Sequence, residues 1–233
     1  MASHDRPLLA VLIDADNIPA KYAQAVMKEI TGLGEPGLRR VYGDWSSGQL
    51  RGWSDKVLEL GLVAHQETAN TKGKNASDIG LVIDAMDILH SGRFDAFVLV
   101  SSDSDFTRLA SRIREQGLDV IGIGEGKAPE SLRNVCNRFI LIENLMDDAP
   151  EAQAKSSKKK AQDALPVILR AMERMDPDGE WYAMGALGSQ IVAEMPDFDT
   201  RTYGKRKLSD LVGEIKRLET RIQGTQLMVR RRD

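Results

Sequence analysis

Carboxylates and other polar side chains follow two short apolar segments of the chain. The first segment is Leu8–Ile13 and the second is Phe97–Val100. They are followed by Asp14, Asp16 and Asn17 and by Ser101, Ser102, Asp103 and Asp105, respectively. Short continuous apolar runs are typical of parallel strands that are buried on both faces. Because ligands in such sheets bind beyond the carboxyl ends of the strands, these side chains are candidate site residues.

Another candidate carboxylate, Asp78, opens a helical pattern. The residues at i+4, i+7 and i+11 from it are Val82, Ala85 and Leu89, which form an apolar stripe. Asp78 is therefore expected to point inward, at the sheet edge where a helix begins after a strand. Asp84 lies about 120° around the same helix and about 9 Å further along it, which predicts a supporting role at most.

A structural alternative exists for these aspartates, because Asp is a favoured N-cap residue. Asp14 or Asp16 could cap a helix that begins near Pro19. Asp78 could complete a sequence similar to a capping box, and Asp103 could cap the helix that follows it. Capping accounts for single residues, but it does not explain why carboxylates occur at three separate segments.

Carboxylates that meet at one sheet edge repel one another, and burial adds to the cost of their charges. A hard divalent cation relieves that repulsion. Oxygen ligands without nearby His or Cys favour Mg²⁺ or Mn²⁺ over Zn²⁺. These ions support phosphodiester hydrolysis, because they activate water and stabilise the leaving oxygen. The predicted catalytic residues and metal ligands are Asp14, Asp78, Asp103 and Asp105.

Two lysines, Lys72 and Lys74, precede Asp78 in a glycine-containing loop. They are candidates for contacting the phosphates of a bound strand. A solvated loop with no ligand role is the alternative interpretation.

The elements that must position these residues alternate between strands and helices. The remaining strand-like segments are Leu38–Tyr42, Leu62–Ala64, Val120–Ile123 and Phe139–Ile142. Between them, apolar residues recur with helical spacing. This alternation predicts an α/β fold: a Rossmann-like, three-layer parallel sheet with right-handed crossovers. If the first strand neighbours Phe97–Val100, the two polar loops flank the point at which the strand order reverses.

Charge and composition divide the chain into two parts. The formal net charge is −3, but residues 1–150 have an acidic excess and residues 151–233 a basic one. The single cysteine, Cys136, fits a reducing compartment. No apolar stretch approaches the ~18 residues of a membrane span, and residues 1–7 lack the apolar centre of a signal peptide. We therefore expect a cytoplasmic protein with no membrane contact.

The organisation changes after Leu145. Residues 1–146 form the predicted first domain, residues 147–161 a polar linker, and residues 162–233 a second domain. The second domain shows helical patterns over Leu165–Met175, Ala186–Met195 and Lys207–Leu218. A hairpin-like segment then closes the chain. Three helices and a hairpin predict a small winged helix-turn-helix domain.

Basic residues cluster around the last predicted helix and the hairpin of this domain. Two such groups near one surface favour contact with nucleic acid, although a charge run is often only a solvated face. The candidates are Arg201, Lys205, Arg206, Lys207, Arg230, Arg231 and Arg232.

The motifs of the first domain resemble the LabA-like NYN branch of the PIN-like nucleases over about residues 7–145. The resemblance is carried by Leu12-Ile-Asp-Ala-Asp-Asn17, Lys74-Asn-Ala-Ser-Asp78 with Asp84, Val100-Ser-Ser-Asp-Ser-Asp-Phe106, Val120-Ile-Gly-Ile-Gly124 and Glu130-Ser-Leu-Arg-Asn134. It implies a PIN-like fold and a metal-dependent ribonuclease. The carboxylates that match the family's metal ligands are Asp14, Asp78, Asp103 and Asp105.

The second domain resembles the OST-HTH/LOTUS domain. The resemblance is carried by Leu187-Gly188, Phe198-Asp199, Tyr203-Gly204 and Lys207-Leu-Ser-Asp-Leu211. It implies RNA binding and, in some cases, a protein partner. RNA rather than DNA follows from the resemblance alone, because a winged helix does not select between them.

Two other functions are compatible with the motifs. Asp14-Ala-Asp16 also looks like the nucleophile motif of haloacid-dehalogenase-like phosphatases, in which Asp14 would form a phosphoaspartyl intermediate. Asn17 and Pro19 depart from that family's usual residues. The other possibility is a non-catalytic adaptor that binds RNA or protein through its basic C-terminal domain.

Overall fold

A computed structural model describes residues 6–46, 48–67, 76–146 and 158–232, with the backbone alone for residues 76 and 77. The chain divides into two compact units, Met1–Met146 and Asp147–Asp233. The extent of the linker stays a prediction, because residues 147–157 lie outside the described residues.

The first unit is built on a six-stranded parallel sheet. Its strands are β1 (Leu8–Asp14), β2 (Glu35–Gly43), β3 (Val63–Gln66), β4 (Ala96–Val100), β5 (Asp119–Gly124) and β6 (Arg138–Leu141). Their order is β3-β2-β1-β4-β5-β6, and every pairing is parallel. The predicted α/β fold with a parallel sheet is therefore confirmed.

Helices cover both faces of this sheet. They are α1 (Ala23–Leu33), α2 (Arg51–Glu59), α3 (Ala76–His90), α4 (Thr107–Glu115) and α5 (Glu130–Val135). Alternate residues of β1 enter different cores: Leu9, Val11 and Ile13 pack with α1, and Ala10 and Leu12 pack on the opposite face. Burial of β1 on both faces explains its continuous apolar run.

The sheet order places β1 beside β4 at the centre. From β1 the chain moves outward through β2 to β3, whereas from β4 it moves in the other direction to β6. The point of reversal therefore lies between β1 and β4, and the crevice beyond their carboxyl ends is the expected ligand position. Ile13 pairs with Val100, so the next residues, Asp14 and Ser101, lie side by side at the carboxyl edge of the sheet.

The second unit contains three helices and a small antiparallel sheet. Its elements are α6 (Leu165–Met175), β7 (Tyr182–Ala183), α7 (Met184–Glu194), α8 (Leu208–Glu214), β8 (Leu218–Gln223) and β9 (Gln226–Arg231). The strand order is β7-β9-β8. This arrangement is the predicted winged helix-turn-helix, with a two-residue strand that the sequence pattern did not reveal.

The last helix is shorter than predicted. It ends at Glu214, whereas the apolar spacing suggested that it continued to Leu218. Ile215 has an extended backbone and is buried, and Leu218 begins β8 by pairing with Arg231. Core packing therefore places these apolar residues at the start of a strand rather than on a third helical turn.

In the part of the chain that the structure describes, no helix combines the length and apolar character needed to cross a bilayer.

Candidate active site

Asp14 and Ser101 join the ends of the two central strands. Asp14 is the last residue of β1, and its side chain is only 3% exposed. Ser101 follows β4 and donates a hydrogen bond from Oγ to Asp14 Oδ2 at 2.8 Å. The other carboxylate oxygen, Oδ1, accepts the main-chain N–H of Asn17 at 3.1 Å. Asp14 is thus held in one orientation by two donors and does not cap α1.

Burial dominates the electrostatics of Asp14. It raises the pKa of the Asp14 carboxyl to about 6, because a charged carboxylate is poorly stabilised away from water. The hydrogen bonds from Ser101 and Asn17 lower the pKa and the charges of Asp78 and Asp16 raise it, and the value of about 6 includes these opposing effects. A negative charge on Asp14 therefore requires stabilisation by polar or cationic partners.

Asp103 is the N-cap residue of the short 3₁₀ segment Ser104–Phe106, and Asp105 is the second residue of that segment. The Asp103 main-chain N–H donates to Ser101 Oγ at 3.1 Å, and Asp103 Oδ1 accepts the Asp105 N–H at 2.9 Å. The capping interpretation of Asp103 is therefore correct as far as one of its oxygens is concerned. Ser101 links Asp14 to this segment, because its hydroxyl donates to one residue and accepts from the other.

Asp78 reaches the same region from the first turn of α3. This helix contacts both β1 and the segment Ser104–Phe106. Burial raises the pKa of the half-buried Asp78 carboxyl to about 6, and the charges of Asp103, Asp105 and Asp16 add to the increase. Asp78 is thus within the electrostatic influence of carboxylates from both strand ends. Asp16 contributes to this field from an exposed position.

Ser102 binds the loop that follows β5 and holds it beside the site. It is buried, and its Oγ accepts the Glu125 N–H at 2.8 Å. The loop comes close at Gly124, where an added Cβ would lie 2.5 Å from the Ser101 carbonyl oxygen and 3.0 Å from Ser102 Oγ. A glycine is therefore required at residue 124 for this approach.

The donor atoms of the crevice suit a hard divalent cation. Asp14, Asp78, Asp103 and Asp105 offer only oxygen, as Mg²⁺ and Mn²⁺ prefer. Asn17 Oδ1, next in the same turn, is buried and has no hydrogen-bond partner among the described residues. Such an acceptor would be satisfied by a cation or by water held by one.

The carboxylates do not form a closed cage. In residues 6–46, 48–67, 76–146 and 158–232, no three Asp, Glu, His or Cys side chains lie close enough together to hold a metal ion. The four-residue ligand set stays a prediction.

Asp84 belongs to a neighbouring network. Its carboxylate accepts hydrogen bonds from Arg40 and from the hydroxyl of buried Tyr42. Tyr42 pairs in register with Asp14 and packs against His65, with ring centroids 5.1 Å apart. Sequence reasoning missed Arg40 and Tyr42, although their i, i+2 spacing on a strand was a signal that they share one face.

The candidate cations of the C-terminal unit differ in their partners. Several are held in ion pairs: Arg201 with Asp199, Lys205 with Glu214, Arg230 with Glu180 and Glu219, and Arg232 with Glu219. In contrast, Arg206, Lys207 and Arg231 are exposed and have no acidic partner among residues 158–232. These three are the better placed to attract an anionic ligand.

A family model described as the NYN domain matches residues 8–143, which is more than half of the chain. The chain belongs to the NYN-domain family. A second model, described as the OST-HTH/LOTUS domain, matches residues 156–228. Both resemblances seen in the sequence motifs are therefore confirmed.

Solved structures add a comparison of the fold. A protein of unknown function, VPA0982 from Vibrio parahaemolyticus, is 21% identical with a TM-score of 0.51; the match covers 61% of this chain and 96% of that one. MurG from Acinetobacter baumannii is 13% identical with a TM-score of 0.40, and the match covers 58% of this chain and 40% of that one. The first likeness supports the fold alone. A search of curated proteins found no match.

The NYN domain indicates a nuclease-type hydrolase, and the OST-HTH/LOTUS domain indicates RNA binding. Lys72 and Lys74, the predicted phosphate contacts of the NYN domain, lie outside the described residues.

Two basic residues of the OST-HTH/LOTUS domain, Lys158 and Lys159, were not identified from the sequence as candidates for RNA binding. The Lys159 N–H donates to the Thr202 carbonyl oxygen at 2.9 Å, and Lys158 lies beside Gly204, where an added Cβ would be 3.4 Å from its Cδ. Both lysines are exposed. They were assigned to the linker because a lysine run does not reveal which distant turn it contacts. They lie near the basic residues that precede α8.

Proposed function

We propose that this protein is a metal-dependent ribonuclease in which the NYN domain hydrolyses RNA phosphodiester bonds and the OST-HTH/LOTUS domain binds the RNA. The observation that carries the proposal is the convergence of carboxylates from three segments. Asp14 ends β1, Asp103 and Asp105 follow β4, and Asp78 opens α3. The charge of Asp78 raises the pKa of Asp14, and the charges of Asp103 and Asp105 raise the pKa of Asp78.

The proposed ligands of Mg²⁺ or Mn²⁺ are Asp14, Asp78, Asp103 and Asp105. A bound ion would supply the positive charge that activates a water nucleophile and stabilises the leaving oxygen. Ser101 orients Asp14 and fixes the Asp103 backbone, so that both approach the crevice from defined directions. Asn17 offers an acceptor oxygen beside them.

Basic residues in both domains would hold the RNA. In the NYN domain we assign phosphate contacts to Lys72 and Lys74. In the OST-HTH/LOTUS domain, Arg206, Lys207 and Arg231 are exposed without acidic partners in the described part of that domain, which supports contact with phosphates. The paired cations Arg201, Lys205, Arg230 and Arg232 would contribute less.

The decisive experiment measures cleavage of a 5′-labelled single-stranded RNA by the full chain. We expect cleavage with Mg²⁺ or Mn²⁺, none with excess EDTA, and recovery when the cation is restored. Asp103→Asn should abolish cleavage and leave the fold and RNA binding intact, whereas Asp119→Asn, at an exposed residue at the start of β5, should be fully active.

Two results would contradict the proposal. Full activity of Asp103→Asn would remove the assigned ligand. Hydrolysis of p-nitrophenyl phosphate without any RNA cleavage would favour the phosphatase alternative, and RNA binding without cleavage across varied substrates and cations would favour the adaptor.

A further inference from the structure

Trp181 lies on the surface of the C-terminal unit with two arginines over its ring. The guanidinium carbon of Arg221 is 3.9 Å from the ring centroid, and that of Arg230 is 4.8 Å from it. Trp181 is half-buried and precedes β7, and Arg221 is exposed on β8. Packing of the small core of this unit does not require two guanidinium groups against one indole ring.

These side chains share the outer face of the three-stranded sheet. Val229 and Leu218 point into the core. Side chains alternate along a strand, so Arg230, next to Val229, points away from the core. Arg221 is three residues from Leu218 and is likewise on the outer face. This face of the sheet therefore carries one half-buried aromatic ring together with two planar cations.

The two arginines have different partners. Arg230 is fixed by ion pairs with Glu180 and Glu219, and it therefore serves to hold the ring in place. Arg221 donates only to the amide oxygen of Gln223, at 3.0 Å, and has no acidic partner among residues 158–232. Its charge is balanced only by the electron-rich ring face, an interaction that a stronger anionic partner can replace.

We infer that this surface, the Trp181–Arg221 platform, binds an unpaired base of single-stranded RNA. The base would stack on the indole or guanidinium plane, and Arg221 would neutralise the adjacent phosphate. Aromatic and arginine planes are used in this way for unpaired bases, because every base has a π face. An acidic peptide could satisfy Arg221, but it would leave the flat ring unused. The inference rests on the proposed RNA function.

Binding of a fluorescent oligo(U) to the full chain in EDTA tests the inference without cleavage. We expect Trp181→Ala to weaken binding by about 5- to 150-fold, the range that corresponds to one lost stacking partner. Trp181→Phe should lose less. Arg221→Lys, which keeps the charge without the plane, should lie between the parent and Arg221→Ala.

Ile222→Ala is the matched control. Ile222 is the neighbour of Arg221 on β8, is 78% exposed and belongs to the other side of the strand, so its removal should not change affinity. Crosslinking of 4-thiouridine RNA should label the peptides that contain Trp181 or Arg221. RNA should quench tryptophan fluorescence in the parent, and this quenching should be lost in Trp181→Phe. Trp45 and Trp53 are present in both proteins, so the difference between them reports Trp181.

The outcomes separate the inference from the proposed function. If the parent binds oligo(U) and both Arg221→Ala and Trp181→Ala bind it equally well, the platform is not a base site, although RNA binding stands. If the parent binds no RNA, both proposals fail. Preference for an acidic peptide over RNA at these residues would also overturn the inference. Arg221 is exposed, so its variants remain informative should Trp181→Ala fail to fold.

Discussion

The Ser101 hydroxyl donates a 2.8 Å hydrogen bond to Asp14 Oδ2 and thereby joins the ends of β1 and β4. The two residues are separated by 87 positions in the chain. This bond acts against burial, because it stabilises the charged form of a carboxyl that the surrounding core disfavours. The same oxygen of Ser101 accepts the Asp103 N–H, so one side chain organises two of the proposed metal ligands.

Removing this hydroxyl should move the pH dependence of cleavage. The pKa of Asp14 is raised to about 6, so metal-dependent activity of the parent should fall as pH drops through about 6. In Ser101→Ala the pKa should rise further, because a donor to the charged form is lost. We expect about two- to tenfold lower cleavage at pH 7 and an acid limb at higher pH, measured as rate against pH at Mn²⁺ concentrations well below saturation, where protons and the cation compete for the Asp14 carboxylate. Ser91→Ala, at the far end of α3, should match the parent, and an unmoved acid limb in Ser101→Ala would contradict the assigned role.

Asp14 should make the metal-free protein less stable at neutral pH. Between the ordinary pKa of about 4 and the raised value of about 6, the folded state binds more protons than the unfolded state. The free energy of unfolding should therefore fall as pH rises through this window and stay low above it. Asp14→Asn should raise that free energy by about 1–3 kcal/mol at pH 7.5 in EDTA, with the gain shrinking below pH 5.

Urea unfolding at several pH values measures this effect. Asp119→Asn, at an exposed carboxylate, serves as the control and should change stability little at any pH. A destabilised Asp14→Asn protein at pH 7.5 would show that the charged carboxylate is better accommodated than its burial suggests.

Asp84 should prove structural rather than catalytic. Asp84→Ala leaves the buried Tyr42 hydroxyl and the Arg40 guanidinium without their acceptor. We expect a loss of about 1–3 kcal/mol in the free energy of unfolding, the usual cost of a buried unsatisfied group. Tyr42→Phe should cost less, because Arg40 keeps its partner. Cleavage per folded molecule should stay within about threefold, and a complete loss of cleavage would assign Asp84 to the chemistry.

The exposed cations before α8 should set the salt dependence of RNA binding. Replacement of Arg206 and Lys207 by Ala should weaken binding to a single strand most at low salt. The slope of log K against log salt should decrease by about 0.7 for each phosphate contact that is lost. Lys56→Ala removes a lysine that is paired with Glu59 on α2 and should leave the slope unchanged. An unchanged slope in the double variant would place the RNA elsewhere.

The sequence determined the local features of this protein. An apolar run buried on two faces must stop where polar residues begin, so the ends of β1 and β4, and with them Asp14 and Asp103, were predictable from residue type alone. The alternation of strands and helices predicted the parallel sheet, and the motifs predicted both families. The end of α8 was not predictable, because Ile215 and Leu218 keep helical spacing but pack as the entry to a strand.

Only the tertiary structure decided which distant side chains are partners. The Ser101–Asp14 hydrogen bond, the anchoring of Asp84 by Arg40 and Tyr42, and the ion pairs of Arg230 depend on the order in which strands and helices pack. The spacing of apolar residues along a chain indicates burial and helical or strand periodicity, which are local properties. They do not report contacts across the sheet, and those contacts determine which charges are neutralised and which are left to bind a ligand.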